Sequence, residues 1–152
     1  MKVERVTEAN EALAAAVARL VPQLSPRRRP AGIVELVALV ATPGTSLIVA
    51  RDGDDILGML TLIVYRVPTG LRATIHDVVV DEAARGRGVG EALTREALHQ
   101  AADAGAISVE LTSRQDREAA NRLYRRLGFE QRETNVYVWS APEPGSLFEP
   151  GS

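Results

Sequence analysis

Three closely spaced glycines mark the part of the chain with the clearest chemical meaning. Gly86, Gly88 and Gly90 follow a run of branched apolar residues and precede a pattern rich in alanine and leucine. They therefore lie between a predicted strand and a predicted helix, where unpartnered backbone N–H groups and the helix dipole attract negative charge. Because glycine lets a ligand come close to the backbone, and Arg85 and Arg87 add positive charge, the pattern predicts an anion-binding loop. The usual anion at such a place is a phosphate or pyrophosphate.

Two common nucleotide-binding motifs use glycine loops, and the sequence argues against both. A P-loop needs a lysine after its last glycine, and the only lysine of the chain is Lys2. A dinucleotide-binding loop has glycine at positions one, three and six, but the sixth position counted from Gly86 is Glu91. Glu110 has a suitable spacing for the acid that binds the ribose in such folds. A dinucleotide-binding domain is therefore a minor alternative, and so is a tight turn that binds nothing.

Hydrophobic periodicity places this loop in a series of ten predicted elements with the order β-α-α-β-β-β-α-β-α-β. Three consecutive strands before the loop predict an antiparallel meander, whereas the strands on either side of the third helix should be parallel neighbours. The fold class is α/β (α+β), with a mixed, mostly antiparallel central sheet and flanking helices. The predicted elements cover residues 2–6, 11–20, 31–42, 47–50, 56–67, 72–81, 89–102, 106–113, 117–128 and 132–141.

Composition limits the kinds of partner that this chain can have. Its 152 residues fit a single domain over 1–140, and the Pro-, Gly- and Ser-rich end, 141–152, predicts a disordered tail. A net charge of −2 gives no reason to expect nucleic acid or a membrane as partner. The chain has no cysteine and two histidines, so we expect no disulfide, no thiol nucleophile and no metal site. No signal peptide and no apolar run of roughly 20 residues is present, which predicts a cytoplasmic protein.

The sequence resembles the GNAT superfamily of acyl-CoA-dependent N-acyltransferases over nearly its whole length. Residues 85–90, Arg-Gly-Arg-Gly-Val-Gly, match the Gln/Arg-x-x-Gly-x-Gly/Ala loop that binds the coenzyme A pyrophosphate in that family. Tyr124, Gly128 and Phe129 match the Tyr-x-x-x-Gly-Phe end of a later helix of the family. The resemblance implies a GNAT-like fold and transfer of an acetyl group from acetyl-CoA to an amine by direct attack in a ternary complex.

The resemblance also implies which residues bind acetyl-CoA as co-substrate. Loop N–H groups would hold the pyrophosphate, the main chain of the preceding strand would bind the pantetheine arm, and the next helix would supply Asn121, Arg114 or Arg117. Arg85 and Arg87 could add side-chain contacts to the phosphates. The implied main-chain contacts are those of Val78, Val79 and Val80 in the strand and of Arg87, Gly88, Val89, Gly90 and Glu91 in the loop.

For catalysis, the family places a tyrosine at the coenzyme sulfur, which assigns the proton donor for the departing thiolate to Tyr124. Many family members carry a glutamate as base on the strand before the loop, and this strand has none. His76 is the candidate in its place, since a neutral imidazole with a pKa of about 6.5 can accept a proton. Asp77 is the alternative base. His99 lies on the polar side of the long helix, where we expect it to be exposed.

The acceptor is the least specified part of the prediction. In the family it binds against the first two helices and the loops between strands, which here contain SPRRRP and YRVPTGLR. An amine-bearing small molecule and a peptide both fit. Because the usual glutamate is missing, a non-catalytic coenzyme-binding or interaction module on the same fold is a second hypothesis. Exposed sheet edges make a homodimer a further possibility.

Overall fold

A five-stranded, mostly antiparallel sheet forms the centre of the fold, as described for residues 1–142 by a computed structural model. Its strands follow the order β1-β2-β3-β4-β5, and only β4 and β5 run parallel. This arrangement confirms the predicted mixed class. The strands are β1 (Lys2–Arg5), β2 (Thr45–Asp52), β3 (Asp55–Val67), β4 (Gly70–Val80) and β5 (Val109–Glu110), and the helices are α1 (Glu11–Leu24), α2 (Ile33–Ala41), α3 (Val89–Asp103) and α4 (Glu118–Arg126).

Helices cover both faces of the sheet, which explains why β2 contains an uninterrupted apolar run. In β2 the residues 47–50 are all buried. Leu47 and Val49 pack on the side of α1 and α2, while Ile48 and Ala50 pack on the side of α3. A strand buried on both faces loses the usual alternation of polar and apolar residues. The two resulting cores fix α1 and α3 against opposite faces of β3 and β4.

Helix α1 is longer than the sequence predicted. Asn10 caps it, because its side-chain oxygen accepts the N–H of Leu13 at 2.9 Å. The predicted range ends at Leu20, but the helix continues through Pro22 to Leu24. Proline removes one N–H from the last turn, yet the next hydrogen bond still forms, from Ser25 N–H to the carbonyl of Val21 at 3.0 Å. This extra turn brings Gln23 close to the end of β4.

The predicted strand over residues 132–141 is wrong within the described part of the chain. Residues 130–142 have no regular secondary structure and are all exposed, including the large apolar side chains of Val136, Tyr137, Val138 and Trp139. Their branched and aromatic side chains fit a strand, but a strand forms only where a neighbour supplies hydrogen bonds. The contact of this segment with β5 is an ion pair at its start, between Arg132 and Glu110 at 3.4 Å.

Residues 143–152, which hold most of the predicted tail, lie outside the described residues. No helix in residues 1–142 is long and apolar enough to cross a membrane. A cytoplasmic location stays a prediction from the sequence.

Candidate active site

A bulge in β4 determines which way the residues before the glycine loop face. The pairing with β3 shifts between Met59↔Val79 and Thr61↔His76, so β4 has one residue more than its partner here. Asp77 takes up this extra length with φ +54°, a left-handed conformation that is uncommon outside glycine. Ile75 and Val79 are four residues apart and would share one face of a regular strand. Because of the bulge, Ile75 faces the core under α3, whereas Val79 faces α1.

The glycine loop leads into α3 through two left-handed residues. Gly86 has φ +79° and Gly88, the N-cap of α3, has φ +78°, and a Cβ added to either would meet no atom within 4 Å. Both residues therefore need to be glycine for their conformation and not for lack of space inside the protein. No side chain caps α3, so its first N–H groups, from Val89 on, point into the space beside Gly88. This is the geometry that an anion-binding loop requires.

The charged side chains of the loop already have partners. Arg87 Nη2 lies 3.3 Å from Oδ2 of Asp52, the last residue of β2, with both side chains more than half exposed. Glu91 Oε1 accepts from Arg126 Nη2 at 3.2 Å. Arg85 is exposed. The predicted main-chain contacts of the loop are thus sterically open, whereas a phosphate contact by Arg87 requires it to leave Asp52.

Strands β4 and β5 separate after a short paired segment and leave an open cavity between them. Their pairs are Ala73↔Val109 and Thr74↔Glu110 in the described chain. Beyond these pairs β4, including Val78 and Val80, has no strand partner on the β5 side in residues 1–142, whereas its other side stays paired with β3 up to Val80↔Gly58. The cavity has a volume of about 1190 Å³, and its lining includes Thr74, His76, Val109, Glu110, Asn121 and Tyr124.

Of the two candidate bases, His76 lines this cavity. Its Nε2 lies 3.1 Å from the hydroxyl oxygen of Thr74, on the same strand two residues earlier. When Nε2–H donates to that oxygen, Nδ1 keeps a lone pair that can accept a proton. Asp77 is exposed at the bulge and is not among the residues that line the cavity.

Tyr124 forms another wall of the same cavity. It is 9% exposed and makes an edge-to-face contact with Phe129, with ring centroids 5.7 Å apart. The chain turns back at Gly128, and the N–H of Phe129 donates to the carbonyl of Tyr124 at 2.9 Å. Burial raises the pKa of Tyr124, and the positive charge of Arg117 opposes that rise only in part. The phenol therefore keeps its proton at neutral pH and can act as an acid.

The three residues predicted to reach the coenzyme from the start of α4, Asn121, Arg114 and Arg117, make different contacts. Asn121 lines the cavity, but its side-chain amide donates to the carbonyl of Arg114 at 3.0 Å and so helps to shape the loop before α4. Arg117 reaches the carbonyl of Leu24 at 3.5 Å, while Arg114 is exposed. The sequence did not mark Ser113, whose hydroxyl is buried at the cavity wall without a hydrogen-bond partner in the described chain. No pattern distinguishes such a serine from a solvent-exposed one.

No group of three histidine, aspartate or glutamate side chains that could hold a metal ion occurs in residues 1–142. A histidine and a buried tyrosine share one open cavity, and β4 continues from it towards the glycine loop and the N-terminus of α3.

Comparisons with known proteins agree with this geometry. The sequence model described as Acetyltransferase (GNAT) family matches residues 13–129. The N-alpha-acetyltransferase RimI of Mycobacterium tuberculosis is 33% identical over 92 residues, which are 60% of this chain and 56% of that protein. The mycothiol acetyltransferase of Mycobacteroides abscessus is 40% identical over 86 residues, which are 56% of this chain and 28% of that protein.

The fold is also similar to solved structures. A putative acetyltransferase from Agrobacterium tumefaciens superposes with a TM-score of 0.80 at 23% identity, and the match covers 92% of this chain and 100% of that one. The curated relatives are matched over a smaller share, since this chain spans at most 56% of the length of either relative named above.

Proposed function

Since this chain belongs to the acetyltransferase (GNAT) family, we propose that it transfers an acetyl group from acetyl-CoA to an amine by direct attack in a ternary complex. The observation that carries the proposal is the shared cavity: His76 from β4 and Tyr124 from α4 both line the gap into which the β4 main chain and the glycine loop lead. The cavity supplies a proton acceptor and a proton donor, and the loop supplies an anion site.

In this proposal acetyl-CoA lies along the open side of β4. The free N–H groups of the loop, from Arg87 to Glu91, bind the pyrophosphate. The main chain of residues 78–80, which has no strand partner on that side in the described chain, hydrogen-bonds the pantetheine arm. Asn121 borders the path of the arm. The acetyl thioester then lies in the cavity between β4 and α4.

The proposed reaction is an acyl transfer in which every proton has an acceptor. The acceptor ammonium, with a pKa of about 10, first loses a proton to His76, directly or through water. The free amine attacks the thioester carbonyl, and an N–H of β4 stabilises the oxyanion. The C–S bond then breaks, the thiolate takes the proton of Tyr124, and the nitrogen releases its second proton to water. The tyrosinate then recovers a proton from protonated His76, so one proton in total passes to solvent.

The first test of the proposal is release of free thiol from acetyl-CoA in the presence of a panel of amines. The panel should contain small polyamines, aminoglycosides, thiol-containing amino sugars and peptides with free N-termini. Amine-dependent thiol release with matching acetylated product supports the proposal. Binding of coenzyme A without turnover on any member would favour the second candidate, a coenzyme-binding module, which the absence of a glutamate from β4 motivates.

The acceptor class is proposed from chemistry and from the relatives together. The two relatives named above are called an N-alpha-acetyltransferase and a mycothiol acetyltransferase, so a peptide N-terminus and a small amine both belong in the panel. The exposed arginines 27–29 between α1 and α2 would favour an acceptor that also carries negative charge. A homodimer is a separate proposal from the exposed sheet edges, and light scattering tests it.

Coenzyme A should stabilise the protein against heat, and NAD should not. At a free concentration one hundred times its Kd, a ligand adds about 2.7 kcal/mol to the free energy of unfolding. For a chain of this size that corresponds to a rise in Tm of about 5–10 °C. Differential scanning fluorimetry with each ligand measures the difference. A rise with NAD alone would move the assignment to the dinucleotide-binding alternative.

Replacing His76 with glutamine should lower kcat/KM for the amine about tenfold at pH 7.5 and leave the Kd for coenzyme A unchanged. Glutamine keeps a polar side chain beside Thr74 but cannot accept a proton, so water alone must take it. Because water can replace the base in part, the loss should be smaller than the roughly 10²-fold that is the low end for general bases. Steady-state kinetics at saturating acetyl-CoA measures the effect.

The matched control for this change is His99→Gln on the exposed side of α3. It removes the other histidine of the chain and should leave kcat/KM unaltered. If Asp77→Asn lowers the rate tenfold while His76→Gln does not, the base is Asp77, and the side-chain direction that the bulge gives it must change on substrate binding.

A further inference from the structure

A group of side chains with no part in the proposed chemistry lies behind the glycine loop, where β4 ends. Asp81 follows β4 directly, and its main-chain N–H donates to the carbonyl of Leu57 at 2.7 Å. Its side chain caps the short 3-10 helix Glu82–Ala84, because Oδ1 accepts the N–H of Ala83 at 3.2 Å. Asp81 therefore connects the last residue of the sheet to the first turn of the loop.

Two side chains of α1 hold this turn from outside. Arg19 Nε lies 3.0 Å from Asp81 Oδ2, and Arg19 Nη2 also donates to the carbonyl of Ile56 at 2.7 Å. Gln23 Oε1 accepts the N–H of Glu82 at 2.8 Å. Residues 19 and 23 are four apart, so they project from the same side of the helix. We call Arg19, Gln23 and Asp81 the α1 clasp.

The clasp keeps its charge over the physiological pH range. The side chain of Asp81 is 19% exposed. The N–H of Ala83, and after it Arg19 and Gln23, hold the pKa of Asp81 below its ordinary value of 3.8, against an opposing effect of burial. The carboxylate is therefore ionised and accepts hydrogen bonds from both the loop turn and α1.

The loop itself has little that would hold it in place. Gly86 and Gly88 have positive φ, and a Cβ added to either would have no neighbouring atom within 4 Å. Glycine also has more backbone conformational freedom than any other amino acid. A loop that is disordered before binding must be ordered by its ligand, which lowers the affinity. Within the loop, the ion pair of Arg87 with Asp52 is exposed and contributes little, so the stronger contacts against this disorder come from the turn just before Gly86, where the clasp acts.

We propose that the α1 clasp positions the glycine loop for the pyrophosphate of coenzyme A without touching the ligand. This inference rests on the proposed function, since it concerns the affinity of the same loop. Arg19, Gln23 and Asp81 are positioning residues: they fix the first turn of the loop against α1 so that the N–H groups of residues 87–91 are preorganised. Helix α1 thereby contributes to coenzyme binding from the opposite face of the sheet to α3.

Asp81→Asn should raise the Kd for coenzyme A about five- to tenfold, because asparagine keeps the shape and can still cap Ala83 but loses the charge and the oxygen that accept from Arg19. The KM for acetyl-CoA should rise by the same factor, while kcat at saturation stays within about twofold. Calorimetry gives the Kd, and amide exchange of residues 82–90 without ligand should become faster. If Asp81→Asn does not fold, Gln23→Ala is the second test. It removes the side-chain hydrogen bond to the N–H of Glu82, and it should raise the Kd for coenzyme A about threefold.

The control is Glu4→Gln, which also removes a carboxylate paired with an arginine. Glu4 lies 2.8 Å from Arg51 and 3.2 Å from Lys2 at the β1 edge of the sheet, so this variant loses an ion pair but leaves the loop alone. An unchanged Kd in Glu4→Gln with a raised Kd in Asp81→Asn supports the clasp. An equal Kd for coenzyme A in parent and Asp81→Asn, or in parent and Gln23→Ala, overturns it. Absence of coenzyme A binding by the parent would overturn the proposed function together with the clasp, and the two failures are thus distinguishable.

Discussion

Replacing Tyr124 with phenylalanine should lower kcat for acetyl transfer by about 10²-fold, the low end of the range for losing a general acid. The leaving thiolate would then depart without the proton that the phenol supplies. Phenylalanine keeps the ring, so the contact with Phe129 at 5.7 Å and the shape of the cavity wall are preserved. The Kd for coenzyme A should change less than twofold, and single-turnover kinetics at saturating amine isolates the chemical step.

The control for this substitution is Tyr137→Phe, which removes the hydroxyl of an exposed tyrosine that does not line the cavity. It should leave kcat unchanged. If Tyr124→Phe retains more than half of the parent rate, the thiolate leaves without help from the protein or takes its proton from another group. Tyr124 is then a packing residue, and the unpartnered Ser113 hydroxyl becomes the next donor to replace.

The pH dependence of the parent tests the same assignment independently. Burial raises the pKa of Tyr124 above its ordinary value of 10.0, so the active, protonated form persists through neutral pH and is lost only as pH rises through the raised value. We expect no alkaline fall in kcat below pH 10. An alkaline limb near pH 8 that is absent from Tyr124→Phe would show that burial does not protect the phenol in the working complex.

The parts of the site that follow from short-range pattern were predictable from the sequence. Glycines between a branched apolar run and an alanine-rich run require a strand, a flexible turn and a helix N-terminus, and Gly88 is indeed the left-handed N-cap of α3. The end of α4 was equally readable, because Gly128 adopts φ +97° just where the helix stops. Local backbone preference determines these features, so no knowledge of distant contacts was needed.

The parts that depend on distant pairing were not predictable. The bulge at Asp77 exists because β3 and β4 have unequal lengths between two fixed pairs, and neither strand shows this alone. The branched and aromatic residues Val136–Trp139 fit a strand by composition, yet this segment has no strand partner in the described chain. The cavity likewise exists because β4 and β5 share only two residue pairs. Which strand finds which neighbour is a property of the assembled sheet.

Replacing Gly88 with alanine should raise the Kd for coenzyme A by about 10- to 100-fold. Two effects act together. A residue with a Cβ costs about 1–2 kcal/mol in the left-handed conformation with φ +78° that the N-cap of α3 adopts. The Cβ also occupies the open space beside the free N–H groups, and losing one charge-assisted hydrogen bond from them costs about 1.5–3 kcal/mol. Calorimetric titration with coenzyme A, below the Tm of the variant, measures the change.

The other end of the same helix provides the control, because Gly105 just past α3 is also left-handed, with φ +90°, and its nearest contact to a Cβ would be Leu71 at 3.8 Å. Gly105→Ala therefore introduces similar backbone strain without entering the proposed ligand space. We expect the two variants to lose similar amounts of Tm, while only Gly88→Ala loses affinity. If both keep the parent Kd, the pyrophosphate does not contact the N-terminus of α3. If both lose affinity equally, the effect of Gly88→Ala is general strain in α3, and the loop has no special part in binding.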